Sequence, residues 1–221
     1  MRVGALFSGG KDSTFAAYLA KKEGHELVCL ISVYSENPFS YMFHTPSISR
    51  VEKQAEAMGI PLITQKTEGK KEIELNDLKK AIVKAKEKYN IRGIVTGAIA
   101  SVYQASRIQK MCDELGLKVI NPLWQKDQIE LLKDLIKNDF EVIIIGVAAY
   151  PLDDSWLGRK IDKDFIKEAR DLADKYKINP AGEGGEFETF VLNCPLFKKR
   201  LEVKGKKISG SKNSYQMEIL V

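Results

Sequence analysis

The sequence predicts an α/β fold: a mostly parallel sheet with helices on both faces, followed by a smaller C-terminal α+β annex. Short apolar runs alternate with amphipathic segments through the first two thirds of the chain, a pattern typical of βαβ units. Glycines join the first apolar run directly to the first helix. Beyond Pro180, short runs are separated by glycine and lysine turns instead. We therefore expect one domain over 1–150 and a smaller one over 151–221.

The alternation is regular enough to place each element of the first half. The predicted strands are short or continuous apolar runs, and the predicted helices carry apolar residues three or four positions apart. In chain order we expect strand Val3–Phe7, a helix from Asp12, strand Leu27–Val33, a long polar and aromatic loop Tyr34–Ser47, helix Ser47–Met58, strand Pro61–Ile63, helix Leu75–Tyr89 and strand Ile94–Thr96. A loop of that length in a compact domain is often functional.

The second half continues the pattern and then leaves it. Val119–Ile120 and Val142–Val147 are predicted to extend the parallel sheet, and the ligand site should lie outside the carboxyl ends of its strands. Asp164–Tyr176 is predicted as an amphipathic helix. The annex is then expected to hold three short strands, Phe190–Leu192, Leu201–Val203 and Met217–Val221.

Composition and charge exclude several classes of protein. With 44% hydrophobic and 29% charged residues, the 221-residue chain has the balance of a globular protein, and none of its apolar runs could span a membrane. The net charge is +5, and the basic residues are dispersed apart from Lys198-Lys199-Arg200 and Lys204-Gly205-Lys206-Lys207, which favours a solvated surface and makes a nucleic-acid partner unlikely. Its three cysteines form no C-x-x-C pair and the first strand begins without a signal peptide, so a cytoplasmic location is expected.

The first turn has the residues of an anion site. Ser8-Gly9-Gly10-Lys11-Asp12-Ser13 follows a strand and opens a helix, whose first N–H groups and dipole attract negative charge. Lys11 adds a cation, and the two serines add hydroxyl donors. A carboxylate at Asp12 suits such a loop if a magnesium ion is bound, because hard cations prefer oxygen ligands. A glycine turn that merely opens a helix is the less favoured alternative.

This loop is neither a Walker loop nor a dinucleotide fingerprint, since the spacing of its glycines fits neither. It resembles the pyrophosphate loop of the N-type ATP pyrophosphatases. The resemblance implies a Rossmann-like fold of the adenine nucleotide alpha hydrolase type, which uses ATP and Mg²⁺ and forms an adenylate with release of pyrophosphate. It further implies that Ser8, Gly9, Gly10, Lys11, Asp12 and Ser13 bind ATP, that Lys11 and Asp12 are catalytic, that Asp12 binds the metal, and that Tyr34 lies beside the adenine.

A second group of residues follows the strand that ends at Thr96. Gly97 would allow close approach to the nucleotide, and Tyr103, Gln104 and Arg107 follow on the next helix. An arginine there can bind a phosphate or carboxylate as a two-pronged donor, so these three are candidate substrate-binding residues. A routine turn with a surface arginine remains the alternative.

The third group is the acidic stretch Gly182-Glu183-Gly184-Gly185-Glu186-Phe187-Glu188-Thr189. Three carboxylates within six residues repel one another, so such a cluster usually faces a cation. The alternative is a flexible acidic hairpin, although Phe187 would pin the loop down. Together with Asn193–Phe197, Pro122–Trp124 and Leu157–Arg159, this stretch resembles the diphthine–ammonia ligase branch of the ATP pyrophosphatases.

That resemblance implies a specific reaction, the amidation of diphthine on translation elongation factor two with ammonium. It assigns Glu183 and Glu186 as catalytic, and Glu183, Glu186, Glu188 and Thr189 as substrate-binding, since diphthine carries a trimethylammonium group. Whether the chain forms a homo-oligomer stays open. The second hypothesis is an adenylating, thiolase-like enzyme that acts on tRNA. The lack of paired cysteines counts against it. A nucleotide sensor without chemistry would leave Lys11 and the glutamates unexplained.

Overall fold

A computed structural model describes residues 1–35, 48–68 and 71–221. Its elements are, in order, β1 (Arg2–Leu6), α1 (Lys11–Lys22), β2 (Glu26–Ser35), α2 (Ile48–Met58), β3 (Leu62–Thr67), α3 (Lys71–Tyr89), β4 (Gly93–Val95), α4 (Val102–Glu114), β5 (Lys118–Ile120), α5 (Gln128–Lys137), β6 (Glu141–Val147), a 3₁₀ turn (Asp154–Trp156), α6 (Lys163–Tyr176), β7 (Phe187–Asn193), β8 (Gly205–Ser211) and β9 (Ser214–Leu220). Most of the predicted Tyr34–Ser47 loop lies outside the described residues; Tyr34 and Ser35 end β2.

The chain divides into two compact units. The first comprises Met1–Ser8 and Asp12–Trp124, and the second comprises Gly9–Lys11 and Gln125–Val221. This division differs from the expected one at residue 150, because β6 is a strand of the second unit. None of the described helices is both long and apolar enough to cross a membrane.

The first unit holds a parallel sheet in the order β3-β2-β1-β4-β5, which confirms the predicted fold class. Strands β1 to β3 are added in one direction and β4 and β5 in the other. Because parallel crossovers are right-handed, α1 and α2 cover one face and α3 and α4 the other. The order reverses between β1 and β4, so a ligand site is expected at the carboxyl ends of these two strands.

The core of the first unit explains why the middle of β2 is a nearly continuous apolar run. Cys29, Ile31 and Val33 point to the face covered by α3 and α4, where they pack with residues such as Ile82 and Ile108. Leu30, on the opposite face, is also fully buried. Each such aliphatic side chain contributes roughly 1.5–3 kcal/mol on burial. A strand buried on both faces therefore shows a continuous apolar run instead of alternation.

The second unit holds a separate antiparallel sheet in the order β7-β6-β9-β8. The expectation that Val142–Val147 extends the parallel sheet is therefore wrong: Gly146 pairs with Glu188 of β7 and with Gln216 of β9, both antiparallel. A run that is buried throughout gives no information on the direction of its neighbours.

The predicted annex strands are partly corrected. Phe190–Leu192 lies within β7, but Leu201–Val203 is not a strand, and β8 begins at Gly205 instead. β8 has no buried residue, so it lacks the apolar pattern by which a strand is recognised. Its structure comes from its antiparallel pairing with β9 over its whole length.

Candidate active site

The turn after β1 has the predicted strand–glycine turn–helix geometry. Gly9 has a φ of 80°, a left-handed conformation that glycine adopts without strain, and α1 begins at Lys11. Within the first unit, the Ser13 hydroxyl oxygen lies 3.1 Å from the Ser8 hydroxyl oxygen and accepts from the Ser8 N–H at 3.2 Å. The structure thus brings the two predicted serines together in front of the first turn of α1, where backbone N–H groups favour an anion.

Gly97, after β4, lies against the start of α1. A Cβ on Gly97 would be 2.8 Å from the carbonyl carbon of Asp12 and 2.8 Å from the nitrogen of Ser13, which are backbone atoms. Only glycine permits this approach of the β4 turn to α1. Gly97 therefore shapes the site through the backbone of Asp12 and Ser13. One carboxylate oxygen of Asp12 is buried there.

Asn121 supports the same turn, although sequence reasoning did not single it out. With its amide nitrogen oriented towards the turn, the side chain donates to the carbonyl oxygens of Thr96, at 3.1 Å, and Ala98, at 2.8 Å. Its position directly after β5, the neighbour of β4, was the signal available in the sequence.

Within the second unit, Gly9–Lys11 is joined to β7. The Lys11 N–H donates to the hydroxyl oxygen of Thr189 at 3.0 Å, and the Val191 N–H donates to the carbonyl oxygen of Gly9 at 3.3 Å. Lys11 is 3% exposed, and its Nζ lies 5.8 Å from the ring centroid of Phe187. The structure therefore places Thr189 on the backbone of the glycine turn and brings Lys11 to the start of β7.

The acidic stretch forms a braced loop that ends in β7. Phe187 is buried, as predicted, and its ring fills the space where Gly182 lacks a side chain. The two carboxylate oxygens of Glu186 accept from the N–H groups of Asn179, at 2.8 Å, and Gly184, at 2.9 Å. These hydrogen bonds give Glu186 a structural role in the loop, and its predicted catalytic role stays a prediction.

Glu183 and Glu188 are partly exposed. Glu188 lies on β7 over Gly146, where a Cβ would meet its side chain at 3.3 Å, so the small residue makes room for the carboxylate. In the part of the chain that the structure describes, no three His, Cys, Asp or Glu side chains are grouped to hold a metal ion.

The remaining predicted residues lie in the first unit. Ser101 caps α4 by accepting from the Gln104 N–H at 3.3 Å. On the same helix, the guanidinium of Arg107 lies 5.2 Å from the ring centroid of Tyr103, so these two side chains act as one stacked group. Tyr34 lies near the carboxyl end of β2, paired in register with Lys66 of β3.

The cysteines do not provide a reactive thiol. All three are buried, and burial raises the pKa of Cys29 and Cys194 to about 12 and that of Cys112 to about 11. Since the thiolate is the nucleophile, these groups are inert at neutral pH. This disfavours the sulfur-transferring alternative and Cys194 as a functional residue.

Comparisons with known proteins identify the family. Residues 1–119 match the diphthamide synthase N-terminal domain, and residues 127–219 match the diphthamide synthase C-terminal domain. Two curated proteins named diphthine–ammonia ligase, from Bos taurus and Homo sapiens, are 38% and 37% identical over 229 residues, which cover 94% of this chain and 85% of each relative.

A solved structure described as a predicted subunit of tRNA methyltransferase from Methanocaldococcus jannaschii aligns with 91% of this chain and 100% of its own, at 18% identity and a TM-score of 0.44. That likeness is too weak to add to the fold seen in this chain. The two domain matches and the relatives that cover nearly its whole length show that the chain belongs to the diphthamide synthase family.

Proposed function

We propose that this protein amidates diphthine on translation elongation factor two, consuming ATP and ammonium and releasing AMP and pyrophosphate. The observation that carries the proposal is the glycine turn at Ser8–Ser13, with the buried Lys11 at the start of α1, in a chain of the diphthamide synthase family. Its free, buried thiols fit a reducing compartment, so we place the reaction in the cytoplasm.

In the proposed complex, the phosphates of ATP lie against the first turn of α1. The backbone N–H groups of the glycine turn, the Ser8 and Ser13 hydroxyls and the Lys11 ammonium would hold them. Asp12 supplies one carboxylate, so a Mg²⁺ ion there would take its other ligands from phosphate oxygens and water, as this ion usually does. When bound, the ion would offset the charge of the phosphates.

The first step forms the acyl adenylate. A carboxylate oxygen of diphthine attacks the α-phosphorus, the bond to the bridging oxygen of the β-phosphate breaks, and pyrophosphate leaves. Negative charge builds on the α-phosphate as this happens. Preorganised donors, above all Lys11 and the N–H groups of α1, stabilise that charge without reorganising.

The second step forms the amide. Ammonium first gives a proton to solvent, and its nitrogen then attacks the acyl carbon. The bond from this carbon to the AMP oxygen breaks, AMP leaves, and the nitrogen loses a second proton to solvent. The carboxylates of Glu183, Glu186 and Glu188 would attract ammonium and the trimethylammonium group of diphthine. Free ammonium is the simplest nitrogen donor, because a glutaminase needs a reactive cysteine with a histidine base, and all three thiols are buried.

Lys11→Ala tests the proposal. With ATP, ammonium and diphthine-bearing elongation factor, we expect pyrophosphate release to fall by roughly 10²- to 10³-fold, the usual cost of removing one charge-stabilising donor. Lys21→Ala, an exposed lysine of the same helix, is the matched control and should retain the wild-type rate. Near-normal release by Lys11→Ala would remove the loop from the mechanism.

Product analysis separates the alternatives. AMP and pyrophosphate should appear only with diphthine-bearing elongation factor, and neither tRNA nor ATP alone should support their release. Glutamine without ammonium should give no amide. Accumulation of ADP, or turnover that depends on tRNA, would contradict the proposal.

A further inference from the structure

The net positive charge of this chain comes from one segment of the second unit. Residues 198–212 contain seven cationic side chains and one anionic side chain, a net charge of +6, so the remaining chain carries −1 of the overall +5. The cations are Lys198, Lys199, Arg200, Lys204, Lys206, Lys207 and Lys212, and all are exposed. Arg200 is held by Glu141 through two hydrogen bonds of 2.7 Å. The segment therefore differs in net charge from the rest of the chain.

This basic segment includes an edge strand. β8 is the last strand in the order β7-β6-β9-β8, and none of its residues is buried. Among the described residues, no strand pairs with its outer side, so its outward N–H and C=O groups can pair with an added strand. Ile208 is 44% exposed, although its cross-strand partner Met217 is buried. The edge thus offers backbone pairing, an apolar contact and positive charge.

The edge strand is continuous with the candidate site across one face of the sheet. Glu188 of β7 pairs with Gly146, Gly146 with Gln216, and Gln216 with Ser209 of β8. Residues directly opposite each other in neighbouring strands point to the same face, and strands lie about 4.8 Å apart, so this row is about 14 Å long. Lys207, two residues before Ser209, shares that face. The row therefore leads from the carboxylate of Glu188 to Lys207, which lies opposite Glu218 of β9.

We propose that β8 and its lysines dock an acidic segment of the protein substrate, whose modified side chain then reaches Glu188 along this face. The inference rests on the proposed function, because its occupant is the protein that carries diphthine. Positive charge on the enzyme steers and orients an acidic partner, chiefly through the association rate. Two features favour a protein over an RNA: residues 198–212 contain no aromatic side chain on which bases could stack, and the exposed strand edge suits a peptide backbone.

The test compares two triple variants. One removes three charges from this basic segment, and the other removes three charges from elsewhere on the chain. The hairpin variant, named for the β8–β9 hairpin, is Lys204→Gln, Lys207→Gln and Lys212→Gln. The control is Lys118→Gln, Lys137→Gln and Lys167→Gln, which alters exposed lysines by the same total charge. Initial rates of AMP formation are measured against the concentration of diphthine-bearing elongation factor, at low and at physiological salt. Melting temperatures and the KM for ATP are recorded for each protein, because both should stay at the wild-type value.

We expect the hairpin variant to raise the KM for the elongation factor roughly tenfold at low salt, with kcat unchanged, and to lose most of its salt dependence. The control variant should behave as the wild type. An unchanged KM in the hairpin variant, or an equal rise in the control, would overturn the docking surface while leaving the proposed function intact. Wild-type protein that forms no AMP with the elongation factor would overturn both. Competition by tRNA that the hairpin variant abolishes, with an unaltered KM for the elongation factor, would assign the surface to RNA instead.

Discussion

Gly97 shows how one missing Cβ lets two backbone segments pack together. The turn after β4 can approach the backbone of Asp12 and Ser13 because no side chain stands between them. The neighbouring atoms are backbone, which cannot rotate away as the end of a flexible side chain can. Any larger residue must therefore push the β4 turn and the first turn of α1 apart.

Gly97→Ala is expected to weaken ATP binding at least tenfold and to lower the free energy of unfolding by about 1–3 kcal/mol, since the added methyl group overpacks the turn. Isothermal titration with ATP and urea unfolding measure the two effects. Gly205→Ala is the control, because its Cβ would meet only the Leu220 side chain at 3.5 Å, an ordinary contact. Equal ATP affinity in wild type and Gly97→Ala would show that the β4 turn does not shape the nucleotide site.

Residue types could be predicted from the sequence better than residue contacts. The glycines and serines of the first turn stand where they were expected, because their spacing after a strand restricts the backbone locally. Thr189 and Glu186 bind backbone N–H groups of the protein itself, which no local pattern could indicate. Asn121 was missed for the same reason, since its partners lie in the turn that follows the neighbouring strand β4.

At the scale of the element, the loop before β7 depends on Glu186. Its carboxylate accepts from Asn179 and Gly184, while its backbone carbonyl accepts from the Ala148 N–H at 2.8 Å. The side chain and backbone of this one residue thus connect the segment after α6, the acidic loop and the end of β6. A structural and a chemical role for Glu186 can be separated by experiment.

In Glu186→Gln, one oxygen can still accept a hydrogen bond, but the new amide group faces the second N–H. We expect the loop to lose about 1–3 kcal/mol of local stability and the Asn179 and Gly184 amides to exchange faster with solvent. Hydrogen exchange followed by NMR measures this, alongside the rate of AMP formation. A slower rate with unchanged exchange would instead assign Glu186 to the chemistry.

Elements were predicted well where burial leaves a recognisable pattern. The helices follow apolar periodicity because one face is buried, and the parallel strands appear as short apolar runs because both faces are buried. The β6 run is buried throughout, so the sequence could not show that its neighbours are antiparallel. β8 has no buried residue, so it carried no apolar pattern at all.

The carboxylate of Glu141 joins parts of the second unit that are distant in sequence. Glu141 at the start of β6 binds Arg200 at 2.7 Å and Lys160 at 2.8 Å. The hydrogen bond from Arg200, supported by Lys160, lowers the pKa of Glu141 from 4.5 to about 2. The division of the chain between Trp124 and Gln125 places this network wholly within one unit, which a boundary at 150 would have split.

Because this pKa is lower in the folded state, Glu141 stabilises the protein fully above pH about 4.5, and its contribution disappears as the pH falls towards about 2. Glu141→Gln should therefore be less stable than wild type at pH 7, and the difference should shrink as the pH falls through this window. Urea unfolding at several pH values measures it. Glu130→Gln, in an exposed pair with Lys133, is the control and should change little at any pH. A difference that is constant with pH would contradict the role of Glu141.

The burial of Cys29, Cys112 and Cys194 makes the native protein nearly silent towards maleimide dyes. A cysteine introduced at an exposed position such as Ser209 would then carry a fluorophore at a single site, with no need to replace the native thiols. Arrival of a labelled partner at the edge of the sheet could be followed by energy transfer in an otherwise unaltered chain.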